Sequence, residues 1–476
     1  MTGRLNLLRL AAAGFVATCR DGPAVTRLTR RSLLTAGLAA LVQPASAAPR
    51  SRPGAAPDVP RSGNVDVIVI GAGAAGIAAA RRLVGAGRRI ALLEAGNAIG
   101  GRCITDTTTF GIPYDRGAHW IYLADNSPIA KLAAQNGFDL YLAPPGQRMR
   151  IGRCYAREGE MEDFLASLVR ANAAISAAAR KSDIACAQVL PKDLGEWGPT
   201  IEFVLGAYGC GKDLADVSTV DLSRSTERDN GAFCRQGLGA LLAKLAPVEA
   251  LQLATPVTQI EWGRGMVEVG TTRGQFRASA LIVTVSTNVL ASGKIKFDLP
   301  KRHLDAANKL KLGSHDRLAV ELIGNPLGLR ADELVFEKSG SRQTAAIFGN
   351  LYGSSVCTID VAGNFGRDLA ARGQTEMFEF ATGWLVGLYG SGIKSALKRY
   401  HATRWDQEPW VMGAASAAVP GGQSARKVLM EPVRDRIFFA GEAVHETLWG
   451  TLGGAWESGE RAADAALRLF GGGRRG

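Results

Sequence analysis

The sequence predicts an α/β fold, in which a parallel sheet with a β-meander is assembled from discontinuous segments and an α+β domain is inserted between them. A β-branched run at residues 65–70 leads through a glycine-rich turn into an alanine-rich helix and a second apolar strand. Alternating segments at residues 251–285 have the pattern of the meander. A late apolar run at residues 436–440 precedes another glycine-rich turn and a helix, so parts of one sheet lie at both ends of the chain.

The composition is that of a globular protein with more than one domain. The chain has 476 residues, of which 46% are hydrophobic and 21% charged, and this length exceeds what a single small core requires. Residues 1–47 contribute +5 of the net charge of +12, which leaves +7 for the remainder. Because those basic residues are scattered among acids, without a basic stripe, nucleic acid is not an expected partner.

The cysteines predict neither a metal site nor a definite disulfide. None of the seven forms a C-x-x-C pair, and no histidine lies at ligand spacing from them. A disulfide among the six that follow residue 47 is compatible with an oxidising compartment. Buried thiols are the favoured interpretation.

The N-terminus has the features of an export signal. An arginine pair at residues 30–31 precedes an apolar stretch at 33–42 and the small residues 45–47. This order is typical of a twin-arginine signal cleaved after residue 47, and the apolar stretch is too short to span a bilayer. We therefore expect a periplasmic or exported protein that uses the twin-arginine translocase and has no stable membrane span, with residues 48–63 as a linker. An amphipathic tail with a chance arginine pair is the alternative.

The segment after residue 64 matches a dinucleotide-binding fingerprint of the Rossmann type. Residues 71–76 read GAGAAG between the first strand and a helix that is expected to end near residue 84, and the strand at 89–93 leads to an acid. The glycines permit a tight turn, close approach of a pyrophosphate and close helix–strand packing, while the helix N-terminus faces the phosphates. The acid is placed to accept hydrogen bonds from the ribose hydroxyls. The predicted contacts are Gly71, Gly73, Ala75, Gly76, Glu94 and Ala95; a glycine-rich turn without a ligand is the alternative.

The residues that follow the acid distinguish FAD from NAD. Residues 95–102 read AGNAIGGR, which resembles the acid, spacer and Gly-Gly-Arg of the flavin amine oxidases, a family that includes monoamine oxidases, polyamine oxidases and histone lysine demethylases. The resemblance implies that FAD is bound, that Arg102 holds its phosphates and that Gly101 passes close beneath it. An ordinary surface arginine after a glycine turn is the alternative.

Three further segments extend the resemblance over about residues 64–470. Residues 114–120 (YDRGAHW) resemble a flavin-contacting segment, and residues 251–260 resemble a strand that contacts adenine. Residues 436–455 resemble the strand and helix start that close over the ribityl chain and flavin ring, where the helix dipole favours the charge of reduced flavin. The implied contacts are Gly117, Ala118, Val257, Trp405, Gly441, Glu442, Thr451, Leu452 and Ala455.

The same resemblance implies the domain organisation. The FAD-binding domain is expected to comprise residues 64–125, 235–299 and 431–470. The substrate domain is expected to comprise residues 126–234 and 300–430.

The substrate side departs from the family pattern. Many members hold a lysine that reaches toward flavin N5 through water, and the matching position here is Arg317, with Lys309 or Lys311 as possible substitutes. Because arginine stays protonated, we expect a positioning role for Arg317, which could also orient an anionic group. His119 is a candidate base or substrate contact, with hydrogen bonding to neighbouring backbone as the favoured alternative. Trp120 stands where amino-acid oxidases of the superfamily carry an arginine for the substrate carboxylate.

The aromatic residues that enclose the amine in monoamine oxidases are also missing. The matching positions are Ala415 and Thr451, and Ala414 stands where some members attach the flavin through cysteine. We therefore expect non-covalent FAD and a more open space beside the flavin.

The expected activity is FAD-dependent oxidation of an amine at the C–H bond next to nitrogen. Hydride would pass to flavin N5, the imine would hydrolyse, and the electrons would go to O2 or a periplasmic acceptor. The expected catalytic residues are Arg317, His119 and Thr451. The alternatives are an L-amino-acid oxidase, a tryptophan 2-monooxygenase-like enzyme or a carbon–carbon desaturase on the same fold, a non-catalytic flavin-binding protein and, last, an NAD-dependent dehydrogenase.

Overall fold

The structure is a computed structural model that describes residues 62–226, 231–263 and 265–471. The predicted signal and nearly all of the predicted linker therefore lie outside the described residues. The strands are β1 (Gly63–Ile70), β2 (Ile90–Leu93), β3 (Thr105–Asp106), β4 (Tyr114–Asp115), β5 (Leu140–Leu142), β6 (Arg148–Ile151), β7 (Cys154–Tyr155), β8 (Ala232–Cys234), β9 (Leu251–Gln252), β10 (Val257–Trp262), β11 (Val267–Thr271), β12 (Gly274–Val283), β13 (Lys296–Phe297), β14 (His315–Leu322), β15 (Glu333–Glu337), β16 (Ala346–Gly349), β17 (Val356–Ala362), β18 (Leu397–Ala402) and β19 (Ile437–Phe439).

The helices lie between and after these strands. They are α1 (Ala74–Gly85), α2 (Pro128–Gln135), α3 (Glu158–Ala179), α4 (Gly198–Glu202), α5 (Thr219–Arg224), α6 (Leu238–Leu245), α7 (Thr287–Ala291), α8 (Lys301–Lys309), α9 (Gly363–Arg372), α10 (Gln374–Tyr389), α11 (Ile393–Ala396), α12 (Ala425–Met430) and α13 (Leu452–Gly471). A π-helical segment, Phe203–Tyr208, follows α4. None of the helices in the described ranges combines the length and apolar character that a membrane span needs.

The first sheet has the order β13-β10-β11-β12-β1-β2-β9, and β19 pairs with β12. The pairs β1–β2, β1–β12, β2–β9 and β12–β19 are parallel, whereas β10, β11 and β12 form an antiparallel meander. Alternate residues of β1 belong to different cores, since Ile68 packs with one cluster and Val69 with another. Both faces of the sheet are therefore covered, which explains the unbroken β-branched run in the sequence. This arrangement confirms the predicted α/β fold class.

The predicted strand at residues 251–260 is in fact two strands. Ala254 has φ of +49° between β9 and β10, so the chain leaves one edge of the sheet after β9 and joins the meander at the other side. The alternation of apolar residues in the sequence gives no sign of this change in chain direction, because it depends on the backbone conformation of one residue. The meander itself is present within the predicted range, and its last strand, β12, begins at Gly274.

The second sheet has the order β18-β14-β17-β16-β15-β6-β7. Leu318 and Val320 of β14 pack with apolar residues of α9 and α10. Because side chains alternate along a strand, His315 and Arg317 lie on the opposite face. The sheet thus presents polar side chains away from its helical layer. The strands come from residues 148–155 and 315–402, while the proposed domain bounds stay a prediction.

Close glycine packing brings the two ends of the described chain together. A Cβ at Gly459 of α13 would lie 2.1 Å from the carbonyl oxygen of Ala75 in α1, and one at Gly76 would lie 1.8 Å from that of Gly71. No larger residue fits at either position without moving the backbone. These contacts place the starts of α1 and α13 beside the same edge of the first sheet.

Candidate cofactor and substrate cavity

A cavity of about 520 Å³ runs between the edge of the first sheet and the polar face of the second. It is lined by every residue that the sequence predicted for the cofactor or for catalysis, except Gly76 and the two substitute lysines, Lys309 and Lys311. Gly76 instead allows α1 to pack against the preceding turn, as its place in the fingerprint predicts. The lining residues predicted from the sequence are Gly71, Gly73, Ala75, Glu94, Ala95, Gly101, Arg102, Gly117, Ala118, His119, Val257, Arg317, Trp405, Gly441, Glu442, Thr451, Leu452 and Ala455.

The start of α1 forms an open cradle at one end of the cavity. Gly73 caps the helix without a side-chain hydrogen bond, and the first turn carries no acid. Gly73 lines the cavity, and a Cβ there would make only ordinary contacts with the backbone of Gly100 and Gly101 at 3.8–3.9 Å, so free space lies against the backbone on the cavity side. An uncapped helix N-terminus beside free space suits a phosphate group.

Glu94 braces the turn on which this cradle is built. Its carboxylate accepts hydrogen bonds from the backbone N–H of Ala72 at 2.8 Å and of Gly96 at 2.7 Å. The acid at the end of β2 therefore fixes two loops of the cavity wall as well as facing the space predicted for a ribose.

Arg102 and Glu442 form an ion pair across the cavity wall. A guanidinium nitrogen of Arg102 lies 2.8 Å from Glu442 Oε1 and also donates to the carbonyl oxygen of Ala414. Glu442 accepts further hydrogen bonds from the Ser416 hydroxyl at 2.7 Å and the Gly450 N–H at 2.8 Å. Burial alone would raise the pKa of Glu442, but Arg102 and Ser416 hold it below its ordinary value.

A second buried ion pair supports Glu442 from behind, and no sequence motif indicated it. Arg426 of α12 makes two hydrogen bonds of 2.7 Å to Asp221 of α5, and both side chains are inaccessible to solvent. Arg426 also donates to the Ser416 hydroxyl at 3.1 Å and the Ala443 carbonyl at 3.0 Å. These residues lie 205 positions apart, so only the folded chain brings them together.

Thr451 is the cap of α13. Its hydroxyl donates to the carbonyl oxygen of Leu448 at 2.6 Å and accepts from the N–H of Gly454 at 3.0 Å. This is the N-terminal capping pattern of Ser and Thr, so the hydroxyl is already used by the backbone. The start of α13 nevertheless lines the cavity, with Leu452 and Ala455.

Arg317 lies in the cavity wall with its charge already paired. It makes two hydrogen bonds to Asp360, at 2.9 and 3.0 Å, and donates to the backbone oxygens of Asp115 and Gly117. It is thus a positioning residue that ties β14 to the flavin-contacting segment, and it is not a free cation for a substrate anion. The two lysines proposed as substitutes, Lys309 and Lys311, are exposed and do not line the cavity, so that expectation is wrong.

His119 is buried among aromatic side chains. Its side chain is 2% exposed, its ring stacks on Phe233 with centroids 4.5 Å apart, and Nδ1 lies 3.6 Å from Asp115. Its Nε2 has no hydrogen-bond partner among the described residues. The predicted hydrogen bond to neighbouring backbone is absent at this nitrogen, and the catalytic role stays a prediction.

Trp405 and Gly117 meet at the cavity wall. A Cβ at Gly117 would lie 2.0 Å from the carbonyl oxygen of Arg102 and 2.9 Å from the Trp405 ring, so glycine is required there. The buried carboxylate of Asp316 accepts a 2.8 Å hydrogen bond from the Trp405 N–H and fixes that residue. Trp405 is both a buried packing residue and part of the lining.

Sequence reasoning missed several lining side chains. Three of them lie on strand faces or in the π-helical segment and three lie in loops, and neither the inward face of a strand nor the path of a loop has a short-range signal in the sequence. The lining side chains in question are Tyr122, Tyr208, Lys294, His315, Asp360 and Trp410.

The cavity fits a dinucleotide that carries a flavin. A Cβ at Gly441 would meet nothing within 4 Å, and one at Gly73 would meet only the backbone of Gly100 and Gly101 at 3.8–3.9 Å, so no side chain covers the backbone at either position along the cavity. The helix starts of α1 and α13 flank this space, where they favour negative charge on a ligand. No group of three potential metal ligands occurs in the described ranges.

Comparison with known families gives a match over most of the chain. The profile of the family described as flavin containing amine oxidoreductase matches residues 74–467. The human lysine-specific histone demethylase 2 is 27% identical over 445 residues, which are 84% of this chain and 53% of that protein. The probable polyamine oxidase 4 of Arabidopsis thaliana is 26% identical over 449 residues, 85% of this chain and 87% of that protein. The chain thus spans about half the length of the demethylase and most of the polyamine oxidase.

Solved structures share the fold. Putrescine oxidase bound to putrescine superposes with a TM-score of 0.72 at 18% identity, covering 86% of this chain and 100% of that one. Cyclohexylamine oxidase from Brevibacterium oxydans IH-35A gives a TM-score of 0.71 at 20% identity, covering 85% and 99%.

Two glycine substitutions separate cofactor binding from folding. The Cβ of Gly73→Val would meet only ordinary contacts at 3.8 Å or more, in an extended backbone (φ −80°, ψ −177°) that any residue adopts, so we expect a folded protein. FAD should bind at least about tenfold more weakly, roughly 1.4 kcal/mol, because the side chain fills the phosphate cradle. Gly76→Val is the matched control that should disrupt the fold itself. Circular dichroism and titration with FAD measure both effects, and a Gly73→Val protein that binds FAD as tightly as the wild type would contradict this assignment.

Proposed function

The chain belongs to the flavin containing amine oxidoreductase family, and on that premise we propose that it oxidises an amine at the C–H bond next to nitrogen. Its cofactor is FAD, held without a covalent bond. FAD, when bound, supplies the two-electron acceptor for this chemistry. The imine product then hydrolyses in water to a carbonyl compound and ammonia or a smaller amine.

The pairing of the cavity's arginines supports an amine over an amino acid. In the described part of the chain three arginines line the cavity, and each is paired with a carboxylate: Arg102 with Glu442, Arg116 with Asp106, and Arg317 with Asp360. A substrate carboxylate would therefore meet no free guanidinium, and burying it without a partner is costly. This is the observation that carries the choice of substrate class.

Aromatic side chains suit the body of such an amine. Trp120 and Tyr122 lie in the cavity wall with parallel rings 5.8 Å apart, and the Tyr208 ring lies in the same wall. Aromatic faces attract both apolar groups and cations. Ala415 and Thr451, at the positions of the monoamine oxidase cage, leave the space beside the flavin wider.

Localisation and electron acceptor belong to the same proposal. The twin-arginine pattern at residues 30–31 supports export of the folded, FAD-loaded protein to the periplasm, where O2 or a periplasmic carrier accepts the electrons.

Replacing both arginines with lysine should leave the protein in the cytoplasm. Cell fractionation measures this, and unchanged export of the double-lysine variant would contradict the route.

Two probes that differ by one carboxylate test the substrate class. Anaerobic mixing of the FAD-loaded protein with 2-phenylethylamine should bleach the flavin absorbance. L-Phenylalanine should do so at least about 100-fold more slowly, roughly 2.7 kcal/mol, because its carboxylate meets no unpaired guanidinium in the cavity wall.

The other outcomes identify the rival functions. Equal bleaching by phenylalanine would indicate an amino-acid oxidase or monooxygenase-like enzyme. Bleaching only by a saturated ketone would indicate a carbon–carbon desaturase. A yellow protein that no compound in a broad panel bleaches would indicate a flavin-binding protein without this activity.

A further inference from the structure

His315 projects into the cavity from β14, on the face that also carries Arg317. Asp316, between them, points to the other side of the strand, where it accepts hydrogen bonds from Trp405 and Thr403. His315 lines the cavity and keeps 26% of its side chain exposed. The imidazole is therefore accessible from the space that the substrate would occupy.

Asp360 of β17 holds the imidazole in place. Its Oδ2 lies 3.4 Å from His315 Nε2, and both carboxylate oxygens also accept from Arg317. Arg317 is anchored in turn to the backbone oxygens of Asp115 and Gly117, in the flavin-contacting segment. This chain of contacts sets the position of His315 relative to the wall where the flavin lies.

The orientation leaves one ring nitrogen available. When Nε2–H points at a carboxylate, Nδ1 carries the lone pair of the neutral ring. Nδ1 of His315 makes no hydrogen bond within the described residues, and it is not among the enclosed polar atoms that lack partners. It is therefore free to accept a proton from a molecule in the cavity.

The titratable groups around His315 are each held in one charge state. Burial would raise the pKa of Asp360, but Arg317 and His315 hold it well below its ordinary value, so the carboxylate stays ionised. Burial raises the pKa of Tyr208, whose ring lies 5.4 Å from the imidazole. Tyr122 lies beyond Tyr208. The carboxylate of Asp316, on the other face of β14, is buried, which raises its pKa to about 6, and its hydrogen bonds go to Trp405 and Thr403.

We propose that His315 is the base that takes the proton from the substrate's ammonium group. The inference rests on the proposed amine oxidation. An amine enters as the ammonium ion, and its lone pair must be free before the adjacent C–H bond can lose a hydride. One N–H bond of the ammonium breaks, an Nδ1–H bond forms on His315, and the electron pair stays on the amine. Asp360 stabilises the resulting imidazolium.

His315→Gln removes the base while it keeps a side chain of similar length. The rate of anaerobic flavin bleaching by 2-phenylethylamine should fall about 100-fold near pH 7, which is within the range for general base catalysis. The deficit should shrink as the pH rises toward about 10, where the amine deprotonates in solution. His401→Gln is the matched control, since His401 on neighbouring β18 bonds to Tyr114 and does not line the cavity; it should retain the wild-type profile.

Two additional measurements distinguish a base from a packing residue. In ¹⁵N-histidine NMR of the FAD-loaded protein, the signal lost in His315→Gln should titrate at the same pH as the inflection of the rate profile. Free imidazole should also raise the bleaching rate of the His315→Ala variant at least about tenfold, because it can occupy the space that the side chain leaves.

The outcomes separate this inference from the proposed function. A wild type bleached by the amine, with a His315→Gln variant of unchanged rate and pH profile, would overturn the role of His315 alone. A His315 signal that does not titrate across the inflection would overturn it as well. A wild type that no amine bleaches would contradict the proposed function first.

Discussion

The fold and the cofactor site depend on the same interaction, the ion pair between the half-buried Arg102 and the buried Glu442. These residues lie 340 positions apart, and each belongs to a glycine-rich turn that lines the cavity. A buried ion pair is favourable only where its geometry is good and its remaining hydrogen-bonding groups are satisfied. Ser416 and Gly450 complete the shell of Glu442, and Arg426 with Asp221 supports Ser416 from behind. The site is therefore rigid before any ligand enters, which reduces the ordering cost of binding.

Close packing at two glycines also holds the two ends of the described chain together at the cavity. Gly459 brings α13 against α1, and Gly76 brings α1 against the turn after β1. Both helix N-termini then lie at one cavity, where the dipole of α1 would favour the phosphates of FAD and that of α13 the charge of reduced flavin. A ligand that bridges these elements should also stabilise the fold, because it binds only the folded state.

Local patterns in the sequence predicted the parts of this architecture that depend on local physics. The strand–turn–helix unit with Glu94, the Gly-Gly-Arg segment and the late strand before Glu442 all have short-range signatures, and the residues predicted from them line the cavity. The sequence could not show that Arg317 is neutralised by Asp360, 43 residues later, or that His315 lies beside the same carboxylate. Those facts follow from strand pairing between β14 and β17, which no local pattern encodes. Ala254 shows the same limit, since one residue with positive φ divides an apparently continuous strand.

A double-mutant cycle of Arg102→Met and Glu442→Gln tests this ion pair most directly. The measured quantity is the free energy of unfolding in urea, without FAD. Each single variant should lose about 2–4 kcal/mol, because it leaves a partly buried charge or its hydrogen-bonding partners unpaired. The double variant should lose about 1–3 kcal/mol less than the sum of the two, since the residues are in direct contact. Losses that add to within about 0.5 kcal/mol would show that the pair does not couple the two ends of the chain, and would contradict this account.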